Sequence, residues 1–510
     1  MSNFSSTLKS AWRLDNLRWL FQIMVVFGLV LSLNIIGCGS DEEDDLLVNI
    51  IENPEISIDI SGQEVVNLQG KLTTRSHEEL NQLIEEIKID LQENQSSSER
   101  QKLVADINRL YYERELRSRL SQPDSPTWKL TTSAVYLLRG AVFVEDGATL
   151  TIDPGVTIYG EQAEKGTLIV AQGGKIMAEG TAEAPIVMTS DAEIGKRARG
   201  QWGGLIINGK APTNQGVTAG EGDTGDFGGD DPNDNSGVLR YVRVEYAGLE
   251  FSPDNELNGI ALQGVGSGTV IEYVQVHMNQ DDGIEMFGGT VNLKYVLVTG
   301  ARDDSFDWSD GWTGKGQFWV AQQYGDDADN GFENDNSNKN NEATPRSAPT
   351  IYNVTLVGDP DGPNSDNGML IREGAAGIYA NFIVTGFNKV GLDINNESSH
   401  KQANDGNLIV KNSTFFNNGL ANFGDETGEG SNDDGFDEAG WAKGLGNVET
   451  DANLIDPFNK DNPNFTSSSG SSVVTPATPP SDGFFDAVNF IGGVNSANNW
   501  TTGWTTSARN

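Results

Sequence analysis

Three short acidic runs at nearly constant spacing constrain the fold of this chain more than any other feature. They are DDGIE at 281–285, DDSFD at 303–307 and DNGFE at 329–333, and they begin 22 and 26 residues apart. Each has an acid, then Asp or Asn, a small residue, an apolar residue and a second acid. A repeat of this length is typical of one coil of a β-solenoid.

Stacking of such coils would also stack their acids. Neighbouring strands lie about 4.8 Å apart. At that distance two like charges repel by roughly 1 kcal/mol in water and about 3–4 kcal/mol at an effective dielectric of 20. A chain keeps such a ladder only where solvent, bound cations or a cationic ligand screens it.

The overall charge is strongly acidic. Among 510 residues, 74 are Asp or Glu and 34 are Lys or Arg, which gives a formal net charge of −40. This balance excludes nucleic acid as an expected partner, since such binding needs basic surfaces. It is compatible with a secreted protein that meets divalent cations. The chain has a single cysteine, so no intrachain disulfide can form.

The N-terminus has the layout of a secretory signal peptide over residues 1–37. An apolar stretch at 19–37 follows three basic residues and ends in the run IIGC at 35–38. That run resembles the lipobox of bacterial lipoproteins, which implies cleavage before Cys38 and a lipid on that residue. The alternative is an uncleaved membrane anchor, because about 19 apolar residues can span a bilayer.

An acidic tract follows the cysteine at once. The run GSDEEDD at 39–45 opens a predicted tether with short strands over 38–75. It is compatible with a solvated linker. It also resembles the tract after the lipidated cysteine in exported surface lipoproteins of Bacteroidetes-type bacteria. That resemblance implies an outer-membrane, lipid-anchored protein that faces the cell exterior.

Residues 76–122 predict a helical hairpin. Ser76 with Glu79 forms a capping-box pattern, and apolar residues follow at helical spacing. The run of serines at 96–98 separates this helix from a second one. The hairpin is interpreted either as a spacer or partner-binding stalk, or as a cap on the following domain.

From about residue 127 the pattern is β throughout. Strands such as VFVEDGATLTIDPGVTI at 142–158 alternate and are broken by turn residues. The short strands YVRV, YVQV, YVLV and YNVT at 241, 273, 295 and 352 recur without helices between them. The repeats predict an all-β, parallel β-helix over 127–465, with an antiparallel sandwich as the less favoured alternative. A Ser/Thr/Pro linker and an aromatic segment (Phe484, Phe485, Trp500, Trp504) at 466–510 are expected to cover it.

Several of these runs resemble the right-handed parallel β-helices of the pectin-lyase-like superfamily. They include GATLTIDPGVTI, the GGKIMAEGTAEAPIVM run and QWGGLIING, all between 147 and 209. More narrowly, NSGVLRYVRVEYAG at 235–248 and the acidic runs are similar to those of uncharacterised bacterial surface lipoproteins. The resemblance covers roughly residues 127–510 and implies fold rather than activity.

The acidic ladder is the candidate metal site. Ca²⁺ takes six to eight oxygen ligands, and carboxylates from adjacent coils provide them. Softer metals are disfavoured because the chain has only three histidines. The expected ligands are Asp282, Glu285, Asp304, Asp307, Asn330 and Glu333. The alternative is that these residues cap turns and face water.

Aromatic and catalytic candidates lie beside the ladder. Trp308 and Trp312 are expected to include an exposed ring that stacks on sugars. Asp281, Asp303 and Arg372 are weak catalytic candidates, and His277 precedes the first run. The Gly-His-Gly and Arg-Ile-Lys motifs of polygalacturonases are absent from the sequence.

These features predict a surface β-helix that binds a glycan or matrix polymer and carries structural Ca²⁺. Two alternatives stay open. One is a polysaccharide lyase or glycoside hydrolase, and the other is a structural component of the surface layer.

Overall fold

The computed structural model describes residues 57–58, 64–92, 96–121, 125–252, 255–424, 435–468, 473–497 and 499–510. The predicted signal peptide, Cys38 and the acidic tract after it lie outside these residues. Within the described ranges no helix is long and apolar enough to cross a membrane.

The described residues contain four α-helices and many short strands. The helices are α1 (His77–Gln92), α2 (Ser97–Leu120), α3 (Glu397–Asp405) and α4 (Glu438–Gly444), with a 3₁₀ turn at Glu221–Asp223. The first strands are β1 (Ser57–Ile58), β2 (Glu64–Leu72), β3 (Thr127–Leu130), β4 (Ala134–Val144), β5 (Thr149–Ile152), β6 (Thr157–Gly160), β7 (Thr167–Val170), β8 (Lys175–Glu179), β9 (Ile186–Ser190) and β10 (Leu205–Asn208). The next are β11 (Thr218–Ala219), β12 (Asp226–Phe227), β13 (Gly237–Glu245), β14 (Glu250–Ser252), β15 (Asn255–Glu256), β16 (Ile260–Gln263), β17 (Val270–His277), β18 (Ile284–Phe287), β19 (Asn292–Thr299), β20 (Phe306–Ser309) and β21 (Lys315–Gln322). The last are β22 (Phe332–Asp335), β23 (Thr350–Val357), β24 (Met369–Arg372), β25 (Gly377–Thr385), β26 (Val390–Ile394), β27 (Leu408–Lys411), β28 (Thr414–Phe416), β29 (Ala421–Phe423), β30 (Leu454–Asp456) and β31 (Asn464–Ser467).

The strands wind into a parallel β-helix with three sheets, which confirms the predicted fold class. The strands of the solenoid pair in parallel with the strand one coil later, as in β16–β18–β20–β22–β24, whereas β1–β2, β11–β12, β14–β15 and β30–β31 are short antiparallel pairs. We call the set β16–β18–β20–β22–β24, with β7, β10 and β26, sheet 3. The first halves of β13, β17, β19, β21, β23 and β25 form sheet 1, and their second halves form sheet 2. The antiparallel-sandwich alternative is therefore wrong.

The solenoid begins earlier than predicted. β2 pairs in parallel with β4 from Glu64 to Leu72, so it belongs to the first coil rather than to a tether that ends at residue 75. The helical hairpin is an insertion between this strand and the rest of the solenoid. The sequence pattern alone could not reveal that pairing, because about sixty residues separate the two strands.

The hairpin is present, and its second helix covers the open end of the solenoid. Ser76 and Glu79 exchange the predicted capping-box hydrogen bonds (2.7 and 3.2 Å). On α2, Leu116 and Leu120 join the solenoid core, and the Tyr112 hydroxyl donates to Asn67 O of β2 at 2.6 Å. These contacts are those of a cap, since an exposed end would offer unpaired strand edges.

One corner of the solenoid is built from residues in the left-handed backbone region. Between sheets 1 and 2, seven successive coils place a residue with φ between 50° and 67° there: Tyr241, Tyr273, Tyr295, Phe318, Asn353, Asn381 and Asn412. The aromatic members stack, with ring centroids 4.3–5.0 Å apart. Non-glycine residues tolerate this conformation only where the surroundings fix it, and here the stack of neighbours does so.

The C-terminal segment runs along this corner. Trp504 packs edge-on against Tyr241, and Trp500 against Tyr295. Both indoles are buried, as are most atoms of Phe485. The segment therefore covers the side of the solenoid, in agreement with the predicted covering role of 466–510.

Candidate functional site

The three acidic runs meet on one side of the solenoid, at the corner that leads into sheet 3. Because strand residues alternate, Ile284, Phe306 and Phe332 point into the core. The residues that follow them, Glu285, Asp307 and Glu333, are direct partners across β18, β20 and β22 on the outer face. The second acid of each repeated run therefore forms a row of residues across neighbouring strands.

Eight carboxylates form a continuous surface here, which we call the acidic strip. Its members are Asp281, Asp282, Glu285, Asp303, Asp304, Asp307, Asp329 and Glu333. They fall into four overlapping groups of three, and within each group one oxygen per residue lies within 4.8 Å of the others. The five acidic members of the predicted ligand set and the weak candidates Asp281 and Asp303 are therefore brought together, and the sixth predicted ligand, Asn330, donates from Nδ2 to Glu333 at 3.3 Å.

A second row consists of Asp282, Asp304 and Asn330. It is held by hydrogen bonds from backbone amides to side-chain carboxylates of the preceding coil. Asp282 Oδ1 accepts from the Asp304 amide at 2.9 Å, and Asp304 Oδ1 accepts from the Asn330 amide at 2.6 Å. Asp282 and Asp304 are only 6% and 4% exposed. Each carboxylate thus uses one oxygen to fix the next coil and keeps its other oxygen for the strip.

Asparagines end this row at both sides, and the sequence search for acidic runs missed them. Asn258 Nδ2 donates to Glu285 Oε2 at 2.6 Å, and Asn367 Nδ2 donates to Asn330 Oδ1 at 2.9 Å. Both begin an Asn-Gly-apolar sequence like the runs themselves. Their coils carry Ala261 and Leu370 where the runs carry the second acid. The sequence feature that marks these two end positions is therefore the Asn-Gly pair and not an acidic residue.

The carboxylates of the strip resist ionisation. Burial, reinforced by neighbouring acids, raises the pKa of Asp281 to about 8. The same two causes raise the pKa values of Asp282, Glu285, Asp304 and Asp307 well above their usual range. Without cations, full ionisation at neutral pH would be strongly unfavourable.

Arg372 is the guanidinium at the C-terminal end of the strip. Its Nε lies 2.9 Å from Asp335 Oδ1, and its Nη2 donates to Glu333. Burial opposes its charge, but Glu333 and Asp335 outweigh burial and raise the pKa of Arg372. An arginine held in this way is protonated, so it is unsuited to act as a catalytic base.

Two insertions bring further acids to the N-terminal end of the strip. Burial, followed by the charges of Glu256 and Asp310, raises the pKa of Glu221 to about 7. Glu221 and Glu256 in turn contribute to the raised pKa of Asp281. Sequence reasoning missed both, because they come from irregular insertions outside the repeat.

The ligand atoms that the strip offers suit a hard cation. Its side chains offer carboxylate oxygens, with amides of Asn258 and Asn330 at the edges. Asp307 Oδ1 is buried and has no hydrogen-bond partner among the described residues. Oxygen-only donors of this kind suit Ca²⁺ better than a soft transition metal.

A family model for the pectate-lyase like beta helix domain matches residues 123–505. The chain belongs to this family. No curated protein and no solved structure matches it significantly. Membership of the pectate-lyase like β-helix family agrees with the three-sheet solenoid and does not by itself establish an activity.

In this β-helix domain the prediction that Trp308 or Trp312 stacks on sugars is wrong. Both side chains are 0% exposed. Trp308 is the cross-strand partner of Met286 in the inward-facing row of sheet 3, and Trp312 Nε1 donates to Val291 O at 3.1 Å. Strand alternation places Trp308 inside because its neighbour Asp307 faces out.

The histidine that precedes the first run makes structural contacts and does not belong to the strip. His277 is fully buried, with its ring nitrogens 2.7 Å from Thr299 Oγ1 and 2.8 Å from Ala508 O. Burial lowers the pKa of His277 to about 4. The histidine is thus a structural contact to the C-terminal segment.

Proposed function

We propose that this protein is a cell-surface binding protein whose β-helix is stabilised by calcium at the acidic strip. The observation that carries the proposal is the packing of eight carboxylates from successive coils into overlapping groups of three, with Asp282, Glu285 and Asp304 buried. Like charges at such distances destabilise the folded chain unless cations bind between them. The family assignment supports the fold, and the grouping of carboxylates in the strip supports the calcium proposal.

The calcium ligands are Asp282, Glu285, Asp304, Asp307 and Glu333, with the Asn330 amide at the edge of the site. Ca²⁺ accepts six to eight oxygens at about 2.3–2.6 Å in flexible geometry. Bidentate carboxylates and water can complete that number. The role is structural: the ion links neighbouring coils at the corner before sheet 3.

The proposed location is the outer membrane, with a lipid on Cys38 and the β-helix outside the cell. The lipobox-like run at 35–38 and the acidic tract at 39–45 support this proposal. The proposed ligand is a glycan or matrix polymer. Because Trp308 and Trp312 are buried, such a ligand would contact other parts of the solenoid surface.

The calcium proposal is tested by melting the protein with Ca²⁺ and with a chelator. We expect the melting temperature to rise by several degrees with Ca²⁺. A matched experiment with Mg²⁺ controls for ionic strength and general screening. Equal melting temperatures in Ca²⁺ and chelator would refute the proposal.

Membrane fractionation of the Cys38→Ala variant tests the proposed lipid anchor, and a glycan array tests the proposed binding role.

A glycoside hydrolase is the second candidate function. It is favoured by the carboxylates of Asp281 and Asp303, which lie within 4.8 Å of each other and both have raised pKa values. A retaining hydrolase needs two carboxyl groups about 5 Å apart, one of them protonated. A lyase is less well supported because Arg372 is paired with two acids. A screen of acidic and neutral polysaccharides for new reducing ends tests this candidate.

A further inference from the structure

The four carboxylate groups of the acidic strip overlap in a way that indicates more than one cation. Asp307 belongs to two of them, one with Asp282 and Glu285 and one with Asp304 and Glu333. We propose that the strip binds two divalent cations, one coil apart, and that the Asp307 carboxylate bridges them. The proposal rests on the calcium-binding function and specifies its stoichiometry and the central ligand.

Asp307 lies between the two ligand groups. It pairs across the sheet with Glu285 on one side and with Glu333 on the other. Its Oδ1 is buried without a hydrogen-bond partner among the described residues, although most buried polar atoms are paired. A carboxylate has two oxygens and can bind one ion with each. Strand spacing of about 4.8 Å sets the separation of the two ligand groups.

A second observation concerns the amide at the N-terminal end of the row. Asn258 is 1% exposed and donates to Glu285 from Nδ2, while its Oδ1 has no partner among the described residues. A buried amide with one unused oxygen beside a carboxylate is an incomplete hydrogen-bond arrangement. A cation or its bound water at the first position would complete it.

The ends of the row Glu285–Asp307–Glu333 limit that row to two ions. On the N-terminal side, the coil of Asn258 has Ala261 where Glu285 stands in the next coil. On the C-terminal side, Asn330 replaces Asp in the second row and Arg372 neutralises Glu333. Each end therefore lacks the carboxylates that a third ion on this row would need, and both remaining groups of the strip depend on the exposed Asp303.

The charge balance also favours two ions over one. The two ligand groups and Asp335 provide six carboxylates, and Arg372 provides one positive charge. Their net charge when ionised is −5. Two divalent cations reduce it to −1, whereas one leaves it at −3.

The test is native mass spectrometry and calorimetric titration of the folded chain with Ca²⁺. We expect two ions for the wild type and one for Asp282→Asn, which removes a carboxylate from the first group and none from the group of Asp304, Asp307 and Glu333. Asp307→Asn should weaken binding of both ions at least tenfold. Asp90→Asn, on the exposed face of α1, is the matched control and should bind two. Unchanged tryptophan fluorescence of each variant shows that it is folded.

Two results would overturn the paired site. One is saturation of the wild type at a single ion, which would leave the calcium function intact. The other is full binding of both ions by Asp307→Asn. Failure of the wild type to bind any Ca²⁺ would instead refute the proposed function as well, so the two failures are distinguishable.

Discussion

Glu285 and Asp307 are direct partners on neighbouring parallel strands, and their carboxylates share one group of oxygens within 4.8 Å. Two acids in this relationship are a source of strain when both are ionised and no cation lies between them. Glu285 is 8% exposed, so water screens it poorly.

The first prediction concerns pH. The folded-state pKa values of Asp281, Asp329 and Glu333 are raised to about 8, 6 and 7. Protonated acids stabilise the fold below the unfolded pKa values near 4, and this stability is lost as pH rises toward 8. In chelator, the stability contributed by the strip should therefore fall between pH 4 and pH 8. Melting with and without Ca²⁺ should show a difference that grows with pH; a constant difference would contradict it.

The second prediction concerns Glu285→Gln. Without Ca²⁺ the change removes one of the repelling charges, and we expect the free energy of unfolding to rise by up to about 3 kcal/mol. With Ca²⁺ the same variant should lose most of the stabilisation that the ion gives to the wild type. Glu164→Gln on the exposed surface is the control and should change neither value. Urea unfolding in both conditions measures the effect, and lower stability in chelator would refute it.

The third prediction concerns Arg372→Met. The change removes the cation between Glu333 and Asp335 and leaves two acids unpaired. We expect a loss of roughly 1–3 kcal/mol in chelator, less than for a fully buried pair because the guanidinium is 35% exposed. Ca²⁺ should restore part of this loss. Lys129→Met, which removes an exposed pair with Asp153, serves as comparison and should have little effect.

The fourth prediction concerns the C-terminal segment. Trp504 is 2% exposed and packs against Tyr241 and Tyr273. Trp504→Ala should weaken the attachment of the segment by several kcal/mol, about the value for a buried Trp. Because each coil of the solenoid is held by its own strand pairs, we expect local release rather than global unfolding. Limited proteolysis should cut within 473–510 faster, while the main melting transition shifts little. A large drop in that transition would contradict this view.

Much of the solenoid could be predicted from local pattern. The acidic runs repeat at the period of one coil, and parallel stacking then places equivalent residues at equivalent positions. The rows Asp282–Asp304–Asn330 and Glu285–Asp307–Glu333 follow from that repeat alone. Their role as metal ligands stays a prediction.

The exposure of Trp308 could not be judged from composition. The run around it is rich in polar residues, which suggested a surface position. The period of two along β20 nevertheless puts Phe306 and Trp308 on the inner face and Asp307 on the outer face. Alternation within the strand outweighs the average polarity of the segment.

The sequence by itself determined the repeat, the all-β class, the helical hairpin and the identity of the acids that recur. These depend on neighbours in the chain and on the spacing of one coil. Only the tertiary structure decided that β2 joins the first coil, that Glu221 and Arg372 reach the strip, and that Trp500 and Trp504 cover a corner of stacked tyrosines. Those contacts join residues far apart in the chain, and insertions of irregular length, which no local period encodes, set their geometry.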